Sequence, residues 1–149
     1  TNNEKYGSQL LDVHKRNSFG SLTDIQACLG ITQLRRYKKF LEKREKLKKI
    51  YDLELVNLNI KLREIKYNVL FRYTFLTNKG FTNLEKQFLS KKIIIRRGVD
   101  NLLHRKLNLN DQLFPNSILL FERTISLPFY PSLNQKDIKM ICKAMRDIF

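Results

Sequence analysis

Glycine and proline are scarce, 5 and 3 in 149 residues, so the chain lacks the punctuation of a low-complexity or disordered polypeptide. With 42% hydrophobic and 29% charged residues it reads as a folded chain, long enough for one ordinary domain with a real core. Cysteine is rare too. Cys28 and Cys142 stand singly in apolar periodic segments, without the paired spacing of a zinc site or the framework of a small disulfide protein, which predicts reduced core thiols. No run approaches the roughly 20 apolar residues of a membrane span, and the opening TNNEKYGSQ is polar where a signal peptide would be apolar. The expectation is a cytoplasmic protein with no membrane contact.

Acidic residues are outnumbered, 14 against 29 basic, giving a net charge of +15. Such a surface attracts nucleic acid, anionic lipid or phosphorylated small molecules. The signal is unspecific, because Lys, Ile and Asn are abundant together, as an AT-rich coding sequence produces, and surface lysine costs a folded protein little.

Self-contained catalytic machinery is missing as well. The two histidines, His14 and His104, lie far apart in sequence and lack flanking acidic or cysteine residues at metal-ligand spacing. There is no Gly-rich phosphate loop and no serine nucleophile elbow. Most acidic residues are interspersed with lysines, the pattern of a solvated, salt-paired face.

What is present is a clear series of elements. Ser21-Leu22-Thr23-Asp24 offers helix caps before a run in which Ile25, Leu29, Leu34, Tyr37, Phe40, Leu41, Leu47 and Tyr51 fall near one stripe. This predicts an amphipathic helix over about 22–51 with its basic residues on the solvated side, Gly30 being a weak point that need not end it. The stretch 52–66 fits strand and helix equally. YNVLFRYTFLT, residues 67–77, reads as a strand closed by Asn78-Lys79-Gly80, Thr82 as the cap of a helix through Leu89, and Ile93-Ile94-Ile95 as a buried strand run stopping at Gly98. Residues 100–116 are loop-like apart from Leu102-Leu103-His104, and Pro115 fixes a turn before a short helix. TISLP is a last strand, and Ser132 and Asn134 lead a closing helix with Ile138, Ile141, Cys142, Met145 and Phe149 at helical spacing. The expected class is α/β: a long helix packed on a small, mostly antiparallel sheet with covering helices.

Three ordered blocks carry a resemblance. TNNEKYGSQLLDVHKR resembles the segment after a Gly-Glu-Gly-Gly turn in the DegT/DnrJ/EryC1/StrS aminotransferases, where a Thr-Asn pair precedes a helix. LTDIQACLGITQLRRYKKFLEKREKLKKIY is similar to that family's Met-Thr-Asp-Leu-Gln-Ala-Ala-x-Gly-x-x-Gln-Leu helix and its Arg-rich continuation. FPNSILLFERTISLPFYPSLNQKDIKMICKAM looks like its closing block, a short helix, then Ser-Leu-Pro-x-Tyr-Pro, then a final helix. The resemblance is weakest over 52–66 and 105–112. It implies the C-terminal part of a fold-type-I aminotransferase: residues 1–21 as the tail of the large cofactor-binding domain, and 22–149 as the linking helix and small domain.

In such enzymes pyridoxal 5′-phosphate (PLP) forms a Schiff base with a lysine shortly before the Gly-Glu-Gly-Gly turn, and glutamate donates an amino group to a nucleotide-linked keto-sugar. None of the lysines here, Lys5 and Lys15 included, matches that position, so the resemblance implies that the chain alone is inactive and binds no PLP by itself. The family's Gly-x-Asn-x-Arg/Lys phosphate segment aligns with NSFGSL, which puts Phe19 at the Asn position and Ser21 at the basic position. Asn17 replaces the amide only across a two-residue irregularity. Asn17 and Ser21 are therefore the cofactor-binding candidates, and a turn-forming Asn is the plainer alternative.

IIIRRGVDNLLH resembles the segment that presents a strand and then Leu-His to the substrate mouth, making Arg96, Arg97 and His104 the substrate-binding candidates. A guanidinium suits a diphosphate, but neighbours on a strand point to opposite faces, so at most one arginine reaches such a site. The plainer alternatives are a solvated edge arginine and a structural histidine. The implied partners are the nucleotide-sugar, glutamate, and either a second copy or a large-domain half. Two other readings remain: a basic nucleic-acid-binding module using the 35–49 face, for which only non-specific binding is expected in the absence of a readout motif, and a non-catalytic dimerising relic.

Overall fold

A computed structural model describes residues 23–62 and 71–149 of the chain. Two compact units divide it, Thr1–Tyr37 and Lys38–Phe149. Of the first unit, the described part is the start of helix α1, which runs Asp24–Asn57. Thr23 and Gln26 form a capping box at its start: the Gln26 amide donates to Thr23 Oγ1 at 3.3 Å and the Thr23 amide to Gln26 Oε1 at 3.1 Å. The helix passes Gly30 unbroken and takes in the first residues of the ambiguous 52–66 stretch. Just past its end, Asn59 takes a positive φ of 56° that lets the Ile60 amide turn back to the Leu55 carbonyl at 2.9 Å, a Schellman closure for which Asn is well suited. The stripe is buried only in part, against expectation. Leu47, Tyr51 and Leu55 are buried, while Ile25, Leu29, Leu34 and Tyr37 are exposed.

In the second unit the elements follow as β1 (Tyr73–Leu76), α2 (Phe81–Ser90), β2 (Arg96–Arg97), α3 (Leu103–Lys106), a 3-10 turn (Asp111–Leu113), α4 (Pro115–Arg123), β3 (Thr124–Leu127) and α5 (Gln135–Ile148). The three strands form an antiparallel sheet in the order β1-β3-β2, with Tyr73 opposite Leu127, Phe75 opposite Ile125, and Arg96 opposite Ser126. The last strand in sequence therefore sits in the middle. Its TISL residues are buried along most of their length, as a central strand requires.

Strand alternation sends Tyr73, Phe75, Ile125 and Leu127 to one face, where they join Leu47, Tyr51 and Leu55 of α1, Leu84 and Phe88 of α2, and Ile141, Met145 and Ile148 of α5 in one core. The Ile93-Ile94-Ile95 run, expected as a buried strand, lies just before β2 and outside it; its side chains still alternate, Ile93 and Ile95 buried but Ile94 70% exposed, so it is half-buried where full burial was expected. Tyr51 ties α1 to the sheet's end by donating to the Pro128 carbonyl at 3.0 Å, and Tyr73 donates to Asp52 Oδ1 at 2.7 Å. Burial pushes both phenols above their usual range, Tyr73 further because it donates to the Asp52 carboxylate.

Two helix starts are decided locally. Gly80, and not Thr82, is the N-cap of α2, without a side-chain bond. Asn134 caps α5 as its sequence suggests, accepting from the Asp137 amide at 2.8 Å. Among the described residues no helix is long and apolar enough to cross a membrane.

Candidate functional site

The two neighbouring arginines of β2 have different fates. Arg97 points toward the helices, its guanidinium 4.2 Å from the Phe81 ring centroid and 4.4 Å from that of Phe121, and donates to the Phe121 carbonyl at 2.8 Å. It is held between α2 and α4 by two cation–π contacts and a hydrogen bond to a carbonyl in the last turn of α4. Arg96, one residue earlier, is exposed and turned to the other face. There it lines a cavity of about 620 Å³ with Phe71, Arg72, Ser126, Tyr130 and Met140, at the end of the sheet where β2 begins and β3 finishes.

Beyond the other end of β2 the chain is fastened before it reaches His104. Arg72 Nη1 donates to the carbonyls of Arg97 and Gly98, each at 3.3 Å. A Cβ on Gly98 would meet the Thr124 Cγ2 methyl at 3.0 Å, so this strand end packs closely against β3. His104, on the short α3, is buried with 6% exposure and stacks on Phe114, centroids 4.4 Å apart and planes 15° from parallel. Its Nε2 lies 3.0 Å from Asp111 Oδ1. Arg105 grips the same carboxylate with both arms of its fork, Nε to Oδ1 at 3.0 Å and Nη2 to Oδ2 at 2.7 Å. Those bonds, Arg105's first and His104's second, hold the Asp111 carboxyl down at about 2.

Asp111 is the residue that sequence reasoning missed. It lies seven positions after His104, which on a helix would leave the two side chains two turns apart and on a strand would put them on opposite faces, so neither regular element brings them into contact. A turn brings it back: Asn108 takes a positive φ of 56°, and the Leu109 amide bonds to the His104 carbonyl at 2.9 Å. Arg105 also lies 5.2 Å over the Phe121 ring that Arg97 covers, so Arg97, Phe121, Arg105, Asp111, His104 and Phe114 make one continuous cluster. Arg96 does not belong to it. Thus the structure joins Arg97 and His104 through structural contacts and sets Arg96 apart in the cavity at the opposite end of β2. Asn17 and Ser21 lie outside the described residues.

The match to known proteins takes in almost the entire chain: the sequence model of the DegT/DnrJ/EryC1/StrS aminotransferase family fits residues 5–146. The chain belongs to this family. Uncharacterized protein MJ1066 of Methanocaldococcus jannaschii is 30% identical over 142 residues, covering 86% of this chain and 37% of that protein. The spore coat polysaccharide biosynthesis protein SpsC of Bacillus subtilis is 46% identical over 35 residues, 24% of this chain and 9% of that protein. This DegT-family chain therefore spans 37% of the length of its archaeal relative. Among solved structures, Spr1654 from Streptococcus pneumoniae in its PLP form superposes with a TM-score of 0.74 at 18% identity, over 99% of this chain and 44% of that one. A DegT DnrJ EryC1 StrS aminotransferase from Brucella abortus gives 0.71 at 19% identity with the same coverages of 99% and 44%. The fold is thus that of the aminotransferases' C-terminal part, a mixed α/β unit with a small three-stranded antiparallel sheet.

The described residues do not by themselves fit the cofactor that such enzymes hold. A Schiff-base lysine must lose its proton to attack an aldehyde, which burial or a neighbouring cation promotes. No described lysine is buried, and Lys48 and Lys91, two of the more sheltered, are bound to Asp52 and Asp147.

Proposed function

We propose that the chain is the C-terminal part of a PLP-dependent aminotransferase that moves an amino group from glutamate to a nucleotide-linked keto-sugar, in the making of surface polysaccharide. The observation that carries this reading is the family match over residues 5–146, and the likeness to SpsC over 35 residues favours the polysaccharide context. In this reading residues 1–21 finish the large domain and 22–149 form the linking helix and small domain. Asn17 and Ser21 would sit near the cofactor phosphate. Arg96 is the better placed of the two arginines for a diphosphate, since it is exposed beside a cavity while Arg97 is engaged by Phe81, Phe121 and the end of α4. His104 would meet the sugar.

The reading places the cofactor lysine outside these 149 residues. The chain alone is then inactive, and it works as a homodimer or with a large-domain half, in the cytoplasm, in keeping with its two free cysteines. The exposed Ile25, Leu29 and Leu34 are the apolar surface that such association would cover. The test is co-expression with a family large domain stripped of its own small domain, following conversion of glutamate to 2-oxoglutarate driven by nucleotide-linked 3- and 4-keto-sugars. Activity that requires both pieces supports the proposal. Activity of the chain alone, with PLP trapped by borohydride on one of its own lysines, would overturn it.

A further inference from the structure

We propose that Asp111 is a positioning residue that holds His104 as its Nε2–H tautomer, so that Nδ1 is the ring nitrogen offered to a hydrogen-bond donor such as a substrate hydroxyl. An ionised carboxylate has only lone pairs to offer, so at 3.0 Å the Nε2 of His104 must be the donor and Asp111 Oδ1 the acceptor. Arg105 keeps that carboxylate ionised and in place by gripping both oxygens, at 3.0 and 2.7 Å. The Phe114 stack fixes the plane of the ring, and within that plane the Asp111 contact selects the orientation that brings Nε2 to the carboxylate. In the neutral imidazole Nδ1 is then an acceptor, and it has no hydrogen-bond partner among the described residues. A ring nitrogen with a lone pair and no partner among the described residues is one to which a ligand's hydroxyl can donate.

The tautomer follows from the contacts alone, whereas the sugar hydroxyl as the donor rests on the function proposed above. The two parts are tested separately. The sequence has two histidines, so a ring-labelled sample of the 149-residue chain gives a spectrum that the His14→Ala variant assigns at once. In long-range proton–nitrogen spectra recorded above the titration of the ring, His104 should carry its proton on Nε2, and Asp111→Leu should lose that preference. A proton on Nδ1 in the unsubstituted chain, or an unchanged tautomer in a folded Asp111→Leu chain, overturns the positioning role. Should Asp111→Leu fail to fold, the tautomer of the unsubstituted chain still decides.

For the ligand, UDP-glucose is added to the same chain, and the Nδ1 resonance should move. A Gln side chain places its amide near the position of Nε2, whereas an Asn oxygen falls near that of Nδ1. His104→Gln should therefore weaken UDP-glucose binding roughly tenfold, and His104→Asn should keep more of it. An Nδ1 resonance indifferent to UDP-glucose, with the Nε2 proton in place, overturns the ligand-facing role while leaving Asp111's positioning role intact.

Discussion

Along α1 the same kinds of side chain meet opposite ends: Ile25, Leu29 and Leu34 are 75%, 61% and 74% exposed, whereas Leu47, Tyr51 and Leu55 are at 4%, 0% and 0%. Nothing in the local sequence separates the two groups, since both sit in one uninterrupted helix. Periodicity records which positions are apolar. Whether anything in the chain packs on them is a separate matter, and for the second group the answer is the sheet and α5.

The largest test of this difference is a matched pair of truncations. Leu55→Ala should cost about 2–5 kcal/mol, because it opens a cavity among residues that cannot collapse to fill it. Leu34→Ala should lie within about 0.5 kcal/mol of the unsubstituted chain. Urea unfolding followed by circular dichroism gives both values, and equal costs would erase the contrast between the two segments. A smaller effect belongs to the hydroxyl that Tyr51 donates to the Pro128 carbonyl. Tyr51→Phe keeps the ring and loses that bond, at a cost of about 1 kcal/mol in the same assay.

Charges placed on the exposed segment should act on association and not on folding. Ile25→Glu combined with Leu29→Glu is expected to leave the unfolding midpoint in place while shifting sedimentation toward the monomer. A lowered midpoint would mean that these residues already stabilise the folded chain. The mildest perturbation is acid. Asp111 ionises at about 2 in the folded chain against an ordinary 3.8, so its carboxylate adds stability above about pH 4 that disappears as pH falls toward 2. Amide exchange around 109–114 should quicken over that interval before the amides of Leu47, Tyr51 and Leu55 respond. Simultaneous loss would show that the His104 loop and the core open as one unit.

Much of the fold was legible in the residues. The long helix, the β1 segment at Tyr73–Leu76, the TISL strand and the Asn134-capped closing helix all follow from local patterns whose range is a few residues. The site was less legible. Arg96 and Arg97 are chemically identical, and alternation predicted that they would part; only packing decided which would be engaged, because Phe81 and Phe121 come from separate helices. His104 was visible through its Leu-His setting, but Asp111 was not, since a left-handed Asn108 reverses the chain between them.

By itself the sequence determined most of the elements, their order and the family, because helical and strand periodicity, caps and motif blocks are written within short windows of chain; the extent of α1 past residue 51, the short α3 and the place of β2 were not among them. The tertiary structure alone decided that the last strand lies between the first two, that Ile94 faces outward between two buried isoleucines, and that His104 shares a carboxylate with Arg105. Each of these depends on a partner distant in sequence or on a turn of specific handedness. The free energy that selects them, burial of a common face and satisfaction of hydrogen bonds, exists only once the partners are in place.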